Sequence, residues 1–119
     1  EFLGKCAALF DDLLNLVPAR AAALILVLAS PLSGARVGSA WLTLWRDHGH
    51  TASPNAGWTM SAMAGALGVR LEKGGHYVLG SGYPMPAGSD IGRALRLYWN
   101  ATAIFLATCF VLLAALHAR

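Results

Sequence analysis

The residues best suited to chemistry include a short polar turn, Ser53-Pro54-Asn55-Ala56-Gly57. Proline fixes one φ angle there, and asparagine and glycine tolerate positive φ, so the turn has little freedom. It therefore holds the Ser53 hydroxyl and the Asn55 amide in place as polar groups that a ligand could contact. The alternative is a turn that only introduces the next helix, and the residue types alone do not separate the two.

An arginine close to a proline forms a second candidate, an anion site at Pro18-Ala19-Arg20. A proline in the first turn of a helix leaves the following amides free, and the helix dipole adds partial positive charge. The guanidinium adds two parallel donors for a carboxylate or phosphate. Two structural alternatives stay open: Arg20 extends to the membrane surface, or it pairs with Asp12 or with a segment outside this chain.

Familiar metal and nucleotide motifs are absent from the sequence. His48 and His50 are two residues apart, which in a helix places them roughly 200° apart on the helix surface. Cys6 and Cys109 have no CxxC neighbour, and no HExxH, P-loop or complete GxGxxG pattern occurs. If ATP is a substrate, it is bound through other elements.

These polar groups belong to a chain that is too apolar for an ordinary soluble domain. Its 119 residues are 56% apolar and 13% charged, whereas globular proteins average roughly 45–50% and 25%. The mean hydropathy is +0.53. The net charge of +3 is scattered and forms no basic cluster of the kind that binds nucleic acid. The composition predicts a membrane protein, with residues 1–119 as a single membrane domain and no nucleic-acid partner.

Two apolar stretches predict membrane helices. Leu97–Leu116 is long enough for about 30 Å of hydrocarbon, and Tyr98 and Trp99 lie at its start, where aromatic rings favour the membrane interface. The second helix is predicted over Pro18–Leu32. A break or kink is expected at its first residue, because proline has no amide hydrogen to donate and disfavours a helical conformation at Val17. An amphipathic helix along the membrane surface is predicted before it, from the spacing of Leu9, Phe10, Leu13, Leu14 and Val17.

Two shorter helices and a loop are predicted between the membrane helices. Thr59–Val69 consists mostly of small residues that permit close backbone packing. The segment from Lys73 to Gly88 is rich in glycine and proline and is predicted to be a loop. An interfacial helix is predicted from one apolar face, formed by Val37, Trp41, Leu44 and Trp45. The predicted fold is therefore an all-α integral membrane protein.

The distribution of basic residues predicts the orientation in the membrane. Six of the nine Lys and Arg residues lie between the two membrane helices: Arg36, Arg46, Arg70, Lys73, Arg93 and Arg96. Because basic residues are enriched in cytoplasmic segments, residues 33–96 are predicted to face the cytoplasm. The protein is accordingly predicted to be a multi-pass protein of the cell inner membrane.

The order of several motifs resembles the C-terminal part of a known family. The motifs are LLNLVPAR at residues 13–20, Arg46-Asp47, SPNAGW at 53–58, AMAGALGVRL at 62–71 and SDIGRALR at 89–96. Together they look like the adenosylcobinamide-phosphate synthases, also called the CobD/CbiB proteins of cobalamin biosynthesis. Members of that family are considerably longer. The resemblance therefore implies that this chain is the C-terminal part of a longer polytopic protein.

The resemblance also implies an activity. Such an enzyme joins adenosylcobyric acid to aminopropanol phosphate, or a related amino alcohol, as an amide, with ATP and Mg²⁺. Its partners would be these corrinoid and amino-alcohol phosphate substrates, membrane lipid, and either the missing N-terminal part or a second copy. The implied substrate contacts are Arg20, Arg46, Ser53, Asn55 and Arg70. The carboxylates available to Mg²⁺ are those of Asp12 and Asp47.

A non-catalytic role is the alternative. Composition alone is equally typical of a membrane scaffold or assembly subunit in which the same helices only pack against one another. The motif order and the polar groups predicted on the cytoplasmic side favour the enzyme. Further membrane helices encoded in frame upstream would support it, whereas a start codon near Glu1 would support the scaffold.

Overall fold

The computed structural model describes residues 2–119, and most of them are helical. The α-helices are α1 (Phe2–Ala29), α2 (Val37–Asp47), α3 (Ala56–Leu67) and α4 (Gly88–His117). Short 3-10 turns follow α1 and α2, at Pro31–Ser33 and His48–His50. A small antiparallel hairpin of β1 (Leu71–Lys73) and β2 (Tyr77–Leu79) lies between α3 and α4. The all-α prediction is confirmed, and the hairpin is a minor addition to it.

The predicted break at Pro18 is wrong, because α1 continues through that residue. Proline removes one helical hydrogen bond, yet the next turns are held by other contacts. Arg20 Nη1 donates to the Leu16 carbonyl oxygen at 2.7 Å, and Ala23 and Val27 are buried against the rest of the fold. The predicted surface helix and the membrane helix starting at Pro18 are thus one helix. No free amides of a helix N-terminus exist beside Arg20.

The second long helix, α4, contains the whole predicted span Leu97–Leu116. Its first turn is closed by Asp90, whose Oδ2 accepts the backbone N–H of Ala87 at 2.9 Å. Asn100 Nδ2 donates to Ser33 Oγ at 3.0 Å and so joins α4 to the turn after α1. Within residues 2–119, α1 and α4 are the two helices long and apolar enough to cross a membrane. They suggest a membrane protein.

The small-residue helix α3 packs closely against α2 and α1. A Cβ atom at Gly65 would lie 2.6 Å from Thr43 Cβ and 2.8 Å from Ala40 Cα, so only glycine fits at this crossing. Ser39 Oγ donates to the Gly65 carbonyl oxygen at 2.9 Å across the same contact. The helix begins earlier than predicted, at Ala56, and ends at Leu67. It ends there because Gly68 adopts a left-handed conformation with φ +65°.

The loop predicted from Lys73 to Gly88 is partly wrong, because it contains strand β2. Leu71 pairs with Leu79, and Lys73 pairs with Tyr77. The tight turn between the strands includes Gly75 with φ +73°. Leu79 is fully buried and attaches the hairpin to the helices. Glycines that indicated an irregular loop instead allow a short antiparallel pair.

Candidate functional site

Three of the predicted site residues meet where α1 contacts the polar turn. Asn55 Nδ2 donates to the backbone oxygen of Asp12 at 2.8 Å. Ser53 Oγ donates to Asp12 Oδ1 at 3.2 Å and accepts the backbone N–H of Asn55 at 3.3 Å. The turn is therefore attached to α1 through its own polar side chains. This contact joins residues more than 40 positions apart in the chain.

An open cleft of about 420 Å³ lies at this contact, and we call it the acidic cleft. Asp11 and Asn15 of α1 line it together with Asp12, Ser53 and Asn55. Asn15 Nδ2 donates to Asp11 Oδ1 at 3.1 Å. Asp11 and Asn15 were not predicted as site residues. The signal that could have identified them is their spacing, because residues three and four apart lie next to each other on a helix.

One acceptor in the acidic cleft lacks a partner. Asn55 is 8% exposed, and its Oδ1 is buried with no hydrogen-bond donor among the described residues. An unsatisfied buried polar atom costs roughly 1–3 kcal/mol. A bound cation or a ligand donor would remove that cost. The oxygen is thus the feature of this cleft that packing alone does not explain.

The oxygen groups that line the acidic cleft are of the type that binds a hard cation, which keeps some of its water ligands. Within residues 2–119, no three His, Cys, Asp or Glu side chains gather to form a metal cluster. The cleft instead offers the Asp12 carboxylate and the Ser53 hydroxyl, and Asn55 lines it with its Oδ1 buried. Mg²⁺ binds through one or two carboxylates and retains several waters. Its requirements are compatible with this set.

Arg20 lies against a group of aromatic rings instead of at a helix terminus. Its guanidinium carbon is 4.7 Å from the centre of the Trp58 ring, a cation–π contact worth roughly 0.5–2 kcal/mol. His48 stacks on Trp58 with ring centres 4.3 Å apart, and Trp45 meets Trp58 edge-on at 5.5 Å. Arg20 therefore links α1 to α3. Its predicted contact with substrate stays a prediction.

Arg46 and Asp47 form an ion pair that attaches the hairpin to α2. Arg46 Nε and Nη2 donate to the two carboxylate oxygens of Asp47 at 2.6 and 2.9 Å. Asp47 Oδ2 also accepts the backbone N–H of Gly80 at 2.6 Å. Asp47 is 1% exposed. Both of its oxygens thus have partners within the protein, and its predicted role as a Mg²⁺ ligand stays a prediction.

The same contacts control the ionisation of the pair. The hydrogen bonds from Arg46 lower the pKa of Asp47 below its usual value, and the Gly80 N–H adds to this effect. Burial acts in the opposite direction and is outweighed. The hydrogen bond to Asp47 raises the pKa of Arg46. Both side chains are therefore charged at neutral pH.

Arg70 lies in a second cleft, about 700 Å³ in volume, which we call the hairpin cleft. Arg70 Nη2 pairs with Glu72 Oε2 at 2.5 Å. The other basic residues lining this cleft are His50, Lys73 and His76, none of which was predicted as a site residue. His50 and Ser53 are three positions apart, so their Cα atoms are at most about 11 Å apart. The segment 50–53 thus joins the hairpin cleft to the acidic cleft.

The comparison with protein families identifies the chain. A family model described as CobD/Cbib protein matches residues 1–98. The chain belongs to the CobD/Cbib family. The resemblance drawn from the motif order is therefore confirmed. No solved structure matches the chain.

Curated relatives agree with this family. The chain is 49% identical over 106 residues to the cobalamin biosynthesis protein CobD of Dehalococcoides mccartyi (strain CBDB1), covering 89% of the chain and 34% of that protein. It is 42% identical over 102 residues to a probable cobalamin biosynthesis protein CobD of Aeropyrum pernix, covering 86% and 32%. The chain spans about a third of the length of these relatives and matches a C-terminal portion of them.

Proposed function

We propose that this chain is part of a membrane-bound enzyme of cobalamin biosynthesis. The enzyme joins adenosylcobyric acid to aminopropanol phosphate, or a related amino alcohol, to give adenosylcobinamide phosphate. Membership of the CobD/Cbib family supports the pathway, since the relatives carry the name cobalamin biosynthesis protein. The structural observation that carries the proposal is the acidic cleft, where the Ser53 hydroxyl meets the Asp12 carboxylate and Asn55 keeps a buried Oδ1 without a donor.

Amide formation of this kind requires a carboxylate to be activated and phosphate charge to be neutralised. The reaction joins a carboxylate to an amine with the loss of water, and conversion of ATP to ADP and phosphate drives it. Arginines stabilise the charge of a phosphoryl group during transfer. We assign this role to Arg20, Arg46 and Arg70. When bound, Mg²⁺ would neutralise phosphate oxygens in the same step.

We place the cation at Asp12 rather than at Asp47. The Asp47 oxygens are taken by Arg46 and Gly80 in a buried site. Asp12 lines an open cleft together with Ser53 and Asn55. The position of segment 33–96 in the cytoplasm, where ATP is available, is part of the same proposal. The protein would then be a multi-pass protein of the inner membrane, completed by an N-terminal part or a second copy.

Complementation with the full-length parent protein tests the proposal. Arg20→Lys keeps the positive charge and loses the planar pair of donors, and Asn55→Ala removes the buried amide. We expect both variants to accumulate in membranes and to fail to convert adenosylcobyric acid in cells that lack the parent gene. Product is measured by mass spectrometry. The matched control is Asn100→Ala, which also removes one amide hydrogen bond, to Ser33, but at α4, and it should retain conversion.

The two function classes give different results in this assay. If the chain is only a scaffold, Arg20→Lys and Asn55→Ala restore conversion at normal protein levels. If both proteins disappear from the membrane while Asn100→Ala persists, these residues serve packing, and the site assignment fails. An enzyme of the proposed type also consumes one ATP for each amide formed in isolated membranes.

Cation binding has a readout that does not depend on activity. Mn²⁺ substitutes for Mg²⁺ and is detected by electron paramagnetic resonance on the full chain in detergent micelles. We expect Asp12→Asn to weaken Mn²⁺ binding at least tenfold, because it removes the charged ligand. Asp90→Asn, which removes a carboxylate at the start of α4, should leave Mn²⁺ binding unchanged. Equal binding by both variants would place the cation elsewhere.

A further inference from the structure

The hairpin cleft surrounds an arginine with an unsatisfied donor. Arg70 Nε is buried and has no hydrogen-bond acceptor among residues 2–119. A buried donor without an acceptor is unfavourable because it has lost its hydrogen bonds to water. The cleft around it has basic walls, formed by His50, Lys73 and His76. Because the Arg70 side chain lines the cleft and is 41% exposed, an anion bound there can contact its guanidinium group.

The backbone around these side chains is held in place by several hydrogen bonds. The Arg70 N–H donates to the Pro84 carbonyl oxygen at 2.8 Å, and the His76 N–H donates to the Lys73 carbonyl oxygen at 2.9 Å. The second bond closes the turn that brings Lys73 and His76 to the same end of the hairpin. His50 Nδ1 lies 3.3 Å from the Val78 carbonyl oxygen. The basic groups therefore approach the cleft from elements whose positions are fixed before a ligand arrives.

Glu72 supplies an internal competitor for a bound anion. Its carboxylate pairs with Arg70 Nη2 at 2.5 Å. The Arg70 side chain is 41% exposed, and the Glu72 side chain is 34% exposed. An ion pair of this exposure is weak, because water screens the two charges. Lys73 is exposed at the rim of the cleft. An oxyanion with more than one negative charge can therefore displace Glu72 from Arg70 and contact Lys73 at the same time.

We propose that the hairpin cleft binds a phosphate oxyanion, with Arg70 and Lys73 as its main contacts. The inference deepens the proposed function and rests on it for the source of the phosphate, since two of the proposed substrates are phosphate esters. The short distance between His50 and Ser53 places this anion near the cation that we assign to the acidic cleft. The headgroup of an anionic lipid carries the same chemistry, so the test must separate the two sources.

Pyrophosphate binding to the full chain in zwitterionic detergent micelles, measured by calorimetry, tests the site. We expect Arg70→Gln and Lys73→Gln each to weaken binding about tenfold or more, since each removes a charge-assisted hydrogen bond to the anion. Glu72→Gln should tighten binding up to about fivefold, because it removes the competitor. The matched control Arg96→Gln makes the same change of charge at an exposed arginine of α4 and should alter the affinity less than about twofold.

The tightening by Glu72→Gln separates an anion site from a structural role, because loss of a purely structural ion pair would not improve binding. Equal affinity of the unsubstituted chain, Arg70→Gln and Lys73→Gln overturns the proposal. Because Lys73 is exposed, its variant keeps the test valid if Arg70→Gln fails to fold. The pyrophosphate assay and the complementation assay use different variants. A negative result for pyrophosphate binding therefore does not change the outcome expected for Arg20→Lys and Asn55→Ala, and each proposal can be refuted without the other.

A second arm identifies the source of the phosphate. The chain is placed in nanodiscs of phosphatidylcholine alone, and in nanodiscs that also contain phosphatidylglycerol. If a soluble phosphate ester is the natural ligand, pyrophosphate should still bind to the chain in both kinds of nanodisc, and Arg70→Gln should weaken that binding in both. Loss of pyrophosphate binding only in the presence of phosphatidylglycerol, at matched ionic strength, overturns that source in favour of a lipid headgroup.

Discussion

Replacing Asp47 with asparagine keeps the size of the side chain and removes its charge. In the structure, the carboxylate accepts two hydrogen bonds from Arg46 and one from the Gly80 backbone. The asparagine amide group presents N–H donors where one carboxylate oxygen now accepts. One of the buried donors around residue 47 therefore loses its acceptor. The expected result is a local separation of the hairpin from the end of α2.

The expected loss of stability in Asp47→Asn depends on how exposed the two hydrogen-bond partners of Asp47 are. The Gly80 N–H meets a charged acceptor in a buried position, and such a bond contributes roughly 1.5–3 kcal/mol. The side chain of Arg46 is 51% exposed, so water replaces much of its interaction, and we count at most about 1 kcal/mol for it. Asp47→Asn should therefore lower the free energy of unfolding by about 1.5–4 kcal/mol.

Asp90 provides the matched control. It also accepts one backbone N–H, from Ala87, and pairs with one arginine, Arg93, at 2.7 Å. However, its side chain is 15% exposed, whereas that of Asp47 is 1% exposed. Water can therefore hydrogen-bond to the Ala87 N–H and to Arg93 when Asp90→Asn removes their carboxylate partner. We therefore expect Asp90→Asn to destabilise the chain less than Asp47→Asn does.

The assay combines global and local stability. Unfolding of the full chain in micelles is followed by circular dichroism, and exchange of the Gly80 amide hydrogen is followed by mass spectrometry. Asp47→Asn should speed Gly80 exchange at least tenfold, as expected for a local loss of more than about 1.4 kcal/mol. The reasoning is refuted if Asp47→Asn costs no more than Asp90→Asn and Gly80 exchange is unchanged.

Acid provides an independent check on the same pair. Because the pKa of Asp47 is lowered in the folded state, its contribution to stability is fully present above the unfolded value of 3.8. That contribution is lost as the pH falls through the lower folded pKa. The unsubstituted chain should therefore lose stability more steeply than Asp47→Asn below about pH 4. Parallel stability curves for the two chains in that range would contradict this assignment.

Three further predictions concern packing and membrane insertion. Gly65→Ala should destabilise the chain by about 1–3 kcal/mol, because a Cβ there meets Thr43 at 2.6 Å. Gly38→Ala, where a Cβ meets nothing within 4 Å, should stabilise the chain by roughly 0.5–1 kcal/mol. If thermal unfolding shows the same effect for Gly65→Ala and Gly38→Ala, the tight contact between α2 and α3 at Gly65 is contradicted. The chain should stay in the membrane fraction after carbonate extraction, and its recovery as a soluble monomer without detergent would exclude a membrane protein. A cysteine at Ser81, in a background without Cys6 and Cys109, should be shielded from an impermeant thiol reagent outside intact cells, and ready labelling would reverse the proposed orientation.

The sequence by itself determined the class of the protein. Helix α4 follows from the apolar run Leu97–Leu116, since a helix needs about 20 apolar residues to cross a bilayer. The apolar stretch after Pro18 identified only the second part of α1. The family follows from the order of short motifs, and the comparison with known families confirms it. The role of small residues in α3 was also predictable, because glycine and alanine allow backbones to approach. Each of these conclusions depends on composition or local spacing.

Only the tertiary structure decided how the polar groups combine. Local rules favour a break at Pro18, but the hydrogen bond from Arg20 to Leu16 within α1 and the burial of Val27 against the rest of the fold support a continuous helix. The link from Asp12 to Asn55 joins distant segments through packing of α1 beside α3, and no local pattern contains that information. The same is true of Asp47, whose Oδ2 accepts the backbone N–H of Gly80, the residue that follows β2. Periodicity reports which face of an element is apolar, whereas the partner of a buried polar atom depends on which elements pack together.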